Sequence, residues 1–432
     1  MAEERSLGLR VPVLARVEGE GALDLAIEDG RLTELRLRIF EPPRLFEKFL
    51  EGREAAEIPD LVARVCGICP IAYQMSAVQA LESVAGVDPG PWVAAMRRLV
   101  YCGEWIESHC LHIHLLAAPD CLGYPDAIAL ARDHPDEVRR GLRLQALGNR
   151  IIRLFGGRSV HPVGVRLGGF HRAPDPADMA RLADDLDTAL ADGAALVAWA
   201  AALPRPAASQ EFVSVALRHP QEYPLYSGRI VSSSGLDMEA AAWGNRIEER
   251  QVPHSTALHA TLDGRPYLVG PLARINLNVD RLPDEVTAGL ATAGIAFPSS
   301  NPFDALAARA AEVHFALREA RRLAAAYWTP ERPWADVPVT VGTGYGVTEA
   351  PRGILWHRYA TDGDGLVRAV RLVPPTSQNQ ARIEEDLRLS LEAFGLDRGD
   401  DELRRLGERV IRNYDPCISC ATHFLRLKVA RR

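Results

Sequence analysis

The chain has 432 residues, of which 47% are hydrophobic and 25% charged, and its formal charge is -7 at pH 7. This is the composition of an ordinary globular protein, long enough for two or three domain equivalents or for one body with a substantial core. The negative balance argues against a nucleic-acid partner, because phosphate recognition needs a basic surface.

Met1-Ala2-Glu3-Glu4-Arg5 opens with charge and lacks the apolar run of a secretory signal. No uninterrupted apolar stretch of about 20 residues is available to span a bilayer, so a cytoplasmic protein is expected. Seven cysteines, an odd number, then point to metal or redox use rather than to disulfides.

In chain order, residues 11–40 read as a small antiparallel meander. Leu23–Ile27 and Leu35–Ile39 alternate apolar and polar residues around the turn Asp29-Gly30. Arg16-Val17-Glu18-Gly19 precedes it, and a glutamate in that setting ordinarily ends a strand in solvent. A helix is expected over 70–84, and a longer amphipathic one follows the break Asp88-Pro89-Gly90-Pro91 and runs to Leu116. It carries His109, His112 and His114, read as core or supporting histidines. Cys102, Cys110 and Cys121 in the same region read as buried free thiols.

The glycines around Gly156-Gly157 and Gly168-Gly169 lack the strand–GxGxxG–helix context of a dinucleotide fold. Helices are expected at about 176–203 and 303–327, with short strands between about 210 and 275. The stretch Trp328–Trp334, with Pro330 and Pro333, is the best linker-like break. A hairpin then joins Ile354–Tyr359 to Leu366–Leu372, and helices over 380–394 and 401–411 follow. The expected architecture is predominantly α within an α+β body. It divides as 1–58, 59–327 and 328–432, all parts of one integrated domain.

Two Cys-x-x-Cys pairs stand near opposite ends: Cys66 and Cys69 in Arg64-Val65-Cys66-Gly67-Ile68-Cys69, and Cys417 and Cys420 in Asp415-Pro416-Cys417-Ile418-Ser419-Cys420-Ala421-Thr422-His423. Such a pair lets two thiolates converge on one metal. Structural zinc sites separate their pairs by roughly 15–20 residues, whereas here nearly the whole chain intervenes. A core site that closes the fold on itself is expected, and it favours catalytic chemistry over a zinc staple.

These motifs resemble those of the large, catalytic subunit of nickel–iron hydrogenases. The resemblance extends to Arg16-Val17-Glu18-Gly19, Phe46-Glu47, Gly157-Arg158, His161-Pro162 and Glu349-Ala350-Pro351-Arg352-Gly353, so it runs through the full chain. It implies that Cys66 and Cys417 are terminal thiolates on nickel. Cys69 and Cys420 would bridge nickel to an iron carrying carbonyl and cyanide ligands. Soft thiolates suit both metals. It further implies that Glu18 relays a proton from a ligand cysteine, that Arg352 and Asp415 form a polar canopy over the metals, and that Glu47 and His423 hold a magnesium (or iron) ion near the C-terminus.

The sequence departs from many relatives in placing Tyr73 four residues after Cys69, where a histidine is common. Tyrosine there resembles the soluble, cofactor-linked branch. A second departure is the tail 424–432 beyond His423, which in many relatives a maturation protease removes. Each iron–sulfur cluster takes about four thiolates, so three spare cysteines cannot supply an electron wire. An iron–sulfur small subunit is implied, with flavin and NAD(P) diaphorase subunits beyond it. The alternatives are a dihydrogen-sensing or degenerate relative, a structural zinc protein, and a subunit like the quinone-site subunit of respiratory complex I. That last relative lacks the four cysteines.

Overall fold

The structure, a computed structural model, describes residues 7–422. His423 and the tail 424–432 therefore lie outside the described residues.

The body is built on five long helices: α1 (Pro70–Ala85), α2 (Pro91–Leu111), α3 (Pro135–Gly156), α4 (Pro176–Ala202) and α5 (Ala305–Ala325). Proline begins α1 to α4, where a fixed φ suits the first turn and no N–H is lost from the ladder. α2 packs on α3, and α5 lies against both α4 and α2. Their apolar faces make the largest core, which also takes in Cys66, Cys69, Cys417 and Cys420. No helix among the described residues is long and apolar enough to cross a membrane.

The strand β1 (Leu7–Val11) lies ahead of the expected meander, whose hairpin is present as β2 (Gly21–Glu28) and β3 (Arg31–Ile39), and the three pair in antiparallel order β1-β2-β3. It turns at Asp29-Gly30, both with positive φ. The mixed segment contains the expected short strands, among them the pair β4 (Ile247–Gln251) and β5 (Leu258–Leu262). The expected hairpin forms as β7 (Gly353–Thr361) and β8 (Val367–Val373), and a strand not expected, β6 (Gly342–Ala350), pairs with β7. Two helices close the chain, α6 (Pro375–Phe394) and α7 (Asp400–Asn413). They pack under the N-terminal sheet in a second core that includes Leu23, Leu37, Ile383, Leu387 and Val410.

Two expectations need correction. The long helix does not continue regularly to Leu116: after Leu111 it widens into a π-type turn over His112–Ala117. The stretch Trp328–Trp334 is an irregular break between α5 and β6, docked by Trp92 donating to the Trp328 carbonyl and Phe170 N–H to the Pro333 carbonyl. Cys121 is only partly buried, because its short helix Ala118–Leu122 ends at the surface with Gly123. Cys102 and Cys110 are buried as expected.

β6 was hard to foresee because Gly342, Gly344 and Gly346 give it a weak strand pattern. Those glycines let the strand lie directly on α1. A Cβ at Gly346 would stand 2.1 Å from the Ser76 carbonyl oxygen, and one at Gly344 would stand 1.9 Å from that of Ala80. The obstacles are backbone atoms, so relief requires moving α1, which begins immediately after Cys69. Gly346→Val is expected to destabilise the chain by about 1–3 kcal/mol or more. A thermal unfolding midpoint equal to that of the wild type would show that the contact is not tight.

Candidate metal centre

The first cysteine pair lies on the loop that enters α1. Glu104 of α2 accepts from the backbone N–H groups of Ile71 (2.6 Å) and Ala72 (3.0 Å), which are otherwise unsatisfied donors of the first turn. This carboxylate fixes where α1 starts, and hence where Cys66 and Cys69 stand. The Cys66 sulfur also accepts from the N–H groups of Ile68 and Cys69, both at 3.3 Å.

The second pair follows α7. Arg412, in the last turn of that helix, donates to both carboxylate oxygens of Asp120 and to the Ala15 carbonyl. Arg16 pairs with the same Asp120 and donates to the Leu116 carbonyl at 2.6 Å. Asp120 thus ties the segment before Glu18 to the helix end before Cys417. The Ile418 N–H then donates to the Glu18 carbonyl at 3.0 Å. So close an approach needs Gly19, whose φ is +90° and whose added Cβ would meet the Ile418 Cβ at 2.6 Å.

Arg44 joins the two loops directly. Its Nη2 donates to the Val65 carbonyl at 2.6 Å and to the Ser419 carbonyl, and its backbone N–H reaches the Thr422 carbonyl at 2.8 Å.

The four sulfurs converge. Cys66 and Cys417 Sγ are 3.4 Å apart, Cys69 and Cys420 3.7 Å, and Cys417 and Cys420 2.9 Å. All four residues are buried, and one ligand atom from each lies within 4.8 Å of the others. The protons are shared unequally. Hydrogen bonds from Cys417, Cys420 and Cys69 draw the Cys66 thiol well down, while burial pushes Cys417 well up. Four thiolates at these separations in a buried site need a compensating cation.

Arg352 sits on the turn between β6 and β7. Its Nε donates to the Asp415 carbonyl at 2.6 Å and its Nη2 to the Asp415 carboxylate at 3.1 Å. Its Nη1 is buried with no acceptor among the described residues. The turn is set by Arg274, which is fully buried and donates bidentately to Glu312, both contacts at 2.8 Å. The same guanidinium reaches Glu349 (2.8 Å) and the carbonyls of Ala350 and Pro351. It also stacks on Trp105 at 4.4 Å. Burial alone would raise Glu312, but Arg274 brings it down to about 2; Glu349, where burial prevails, is pushed up to about 7.

Glu18 reaches the cysteines: its Oε2 lies 3.1 Å from Cys417 Sγ and accepts from the Ser419 N–H at 3.0 Å. Ser419 Oγ donates to Glu18 Oε1 and stands 2.9 Å from Glu41 Oε1. Burial raises the Tyr73 phenol well above its usual range, and the sulfurs of Cys420, Cys69 and Cys66 act the same way. His109, His112 and His114 are buried core residues, bonded to Glu312, to the Arg412 carbonyl and to the Cys110 carbonyl. Burial depresses them to about 4, 3 and 4.

The structure therefore brings together Glu18, Cys66, Cys69, Arg352, Asp415, Cys417 and Cys420. Glu47 is not among them: its carboxylate accepts from the Leu372 N–H at 2.7 Å, and His423 lies outside the described residues. Sequence reasoning missed Arg44, Glu104, Asp120, Arg274 and Arg412. It also missed Thr376, whose hydroxyl accepts the Cys417 N–H at 3.0 Å.

The family model for nickel-dependent hydrogenases matches residues 44–140 and 260–423. The alpha chain of Sulfhydrogenase 2 from Pyrococcus furiosus is 33% identical over 417 residues, covering 95% of this chain and 98% of its own. A chain of the F420-non-reducing hydrogenase of Methanothermobacter marburgensis is 29% identical over 453 residues, covering 96% and 94%. Among solved structures, an NAD+-reducing [NiFe]-hydrogenase in the H2-reduced state superimposes with a TM-score of 0.88 at 27% identity, covering 96% of this chain and 99% of that one. A [NiFeSe] hydrogenase variant from Desulfovibrio vulgaris Hildenborough shares the fold, with a TM-score of 0.81 at 21% identity over 97% and 100% of the two chains. With both cysteine pairs inside the matched residues and converged in the core, the chain belongs to the nickel-dependent hydrogenase family.

Proposed function

We propose that this chain is the catalytic subunit of a hydrogenase that cleaves dihydrogen reversibly and passes the electrons to NAD(P) through partner subunits. The observation that carries the reading is the four-sulfur cluster with Glu18 against one of its members. The donor set fits a nickel–iron centre: four soft ligands converge, and the unsatisfied Arg352 Nη1 offers a hydrogen bond to a small ligand on iron. Such a centre, with carbonyl and cyanide on the iron, supplies the open metal position at which dihydrogen is split heterolytically.

The chain's own residues do the rest. Cys66, Cys69, Cys417 and Cys420 would hold that centre through their converged sulfurs. Arg352, held by Asp415, keeps a positive charge over the site while burial excludes water. Cys417 Sγ takes the proton and delivers it to Glu18 Oε2, 3.1 Å away. Ser419 Oγ, between Glu18 and Glu41, offers the next transfer outward. Glu47 and His423 would hold a magnesium (or iron) ion, a hard cation suited to a carboxylate.

Electrons leave through an iron–sulfur small subunit, since a cluster takes about four thiolates and only Cys102, Cys110 and Cys121 lie outside the site. The NAD(P) acceptor, reached through flavin, rests on the likeness to the NAD+-reducing enzyme. The complex works in the cytoplasm, and the stretches 1–58, 59–327 and 328–432 act as one unit.

Glu18→Gln keeps the shape and removes the base. The variant is expected to retain nickel and iron while H/D exchange slows by about 10²–10⁴-fold. Exchange and turnover equal to wild type would remove Glu18 from the proton path.

A further inference from the structure

A second group of ligand-type side chains lies away from the cysteines. His254 is on the loop between β4 and β5, His259 is the second residue of β5, and Glu384 is on α6. His254 Nε2 lies 2.8 Å from Glu384 Oε1, and His259 Nδ1 lies 3.8 Å from Glu384 Oε2. The two imidazoles are edge to face with centroids 5.8 Å apart. One ligand atom from each of the three residues lies within 4.8 Å of the others.

A hydrogen bond between His254 and Glu384 accounts for those two residues but leaves His259 unexplained. That ring is 2% exposed, its Nε2 has no partner among the described residues, and its Nδ1 is beyond hydrogen-bond reach of the carboxylate. His259 is thus a buried imidazole bonded to neither Glu384 nor His254, with Nδ1 the nitrogen nearer the carboxylate.

We propose that His254, His259 and Glu384 form a metal site of their own, taking a zinc-like divalent cation through two imidazoles and one carboxylate. Four residues separate the histidines, within the histidine spacing common in zinc sites. A tetrahedral ion with bonds of about 2.0–2.2 Å holds its ligands about 3.3 Å apart; His254 Nε2 now stands 2.8 Å from one Glu384 oxygen and His259 Nδ1 3.8 Å from the other, so small side-chain shifts would admit the ion. The Leu37 N–H donates to Glu384 Oε1 at 2.9 Å, which orients the carboxylate as outer partners of metal ligands do. His254 and Glu384 keep side-chain exposures of 18% and 20%, so solvent reaches the fourth position.

The site would fasten the β4–β5 segment to α6. Between the histidines, Thr256 bonds to the Ile39 carbonyl (2.8 Å from N) and the Glu41 carbonyl (2.9 Å from Oγ1). Glu41 Oε1 in turn stands 2.9 Å from Ser419 Oγ. The cation would hold to α6 the loop that Thr256 bonds to the end of β3, close to the carboxylate that meets Ser419.

The test uses the co-purified holoenzyme, dialysed against zinc chloride and then against metal-free buffer. Zinc is counted by plasma mass spectrometry and its ligands are read by zinc K-edge X-ray absorption. One added zinc per catalytic chain with nitrogen and oxygen neighbours is expected. His254→Ala and Glu384→Gln are each expected to weaken binding at least about tenfold, with nickel content unchanged. Glu384→Gln preserves side-chain shape, and retained nickel in either variant reports an intact fold. Absence of stoichiometric zinc, sulfur neighbours around it, or equal binding in wild type and both variants would overturn the proposal.

Discussion

Cys417→Ser is expected to abolish nickel retention and dihydrogen turnover together. Cys417 contributes a sulfur 3.4 Å from Cys66, 2.9 Å from Cys420 and 3.1 Å from Glu18. It is therefore at once a ligand and the first proton acceptor in the proposed reaction. A serine oxygen is harder, less polarisable and not deprotonated at neutral pH, so it suits neither role. The fold should survive, because the Cys417 backbone is held by Thr376 and by the Glu18 pairing rather than by its side chain. Nickel analysis and H/D exchange on the folded variant give the result. Wild-type nickel content in Cys417→Ser would mean that the metal is held elsewhere.

Arg274→Met is expected to cost about 3–5 kcal/mol of stability, the range for breaking a buried ion pair on one side. Arg274 is fully buried and connects Glu312 on α5 with Glu349 at the end of β6. Without it two carboxylates remain in the core, neither with a compensating cation of the same reach. Arg274→Lys should recover only part of the loss, since an ammonium cannot reproduce a five-donor planar fork. Because the Ala350 and Pro351 carbonyls also rest on Arg274, the turn that aims Arg352 should loosen, and activity should fall in the folded fraction. Thermal or urea unfolding of the variants is the measurement. A loss below about 1 kcal/mol for Arg274→Met would show that Glu312 and Glu349 are stable without it.

The cysteine pairs were legible because their chemistry is local. Two thiolates three residues apart announce themselves, whereas Asp415, Arg352 and Glu18 stood out only through the family resemblance of their short motifs. The helices and the two expected β-hairpins were legible for the same reason, through periodicity and turn residues. What positions the site was not legible, because its partners are distant in sequence. Arg44 meets Ser419 across 375 residues, Glu104 caps α1 across 33, and Arg412 meets Asp120 across 292. A buried arginine or glutamate reads in sequence as a surface charge until its partner is known. Arg274 is the clearest case: nothing around Pro271-Leu272-Ala273 distinguishes it from a solvated helix residue.

The most direct test is metal analysis of the natively co-purified complex, read beside its infrared spectrum. The account predicts nickel together with site iron in the catalytic chain, bands of carbonyl and cyanide bound to iron, and loss of both on substitution of Cys417. Zinc held by the four cysteines in a matured sample, with no nickel and no such bands, would contradict it.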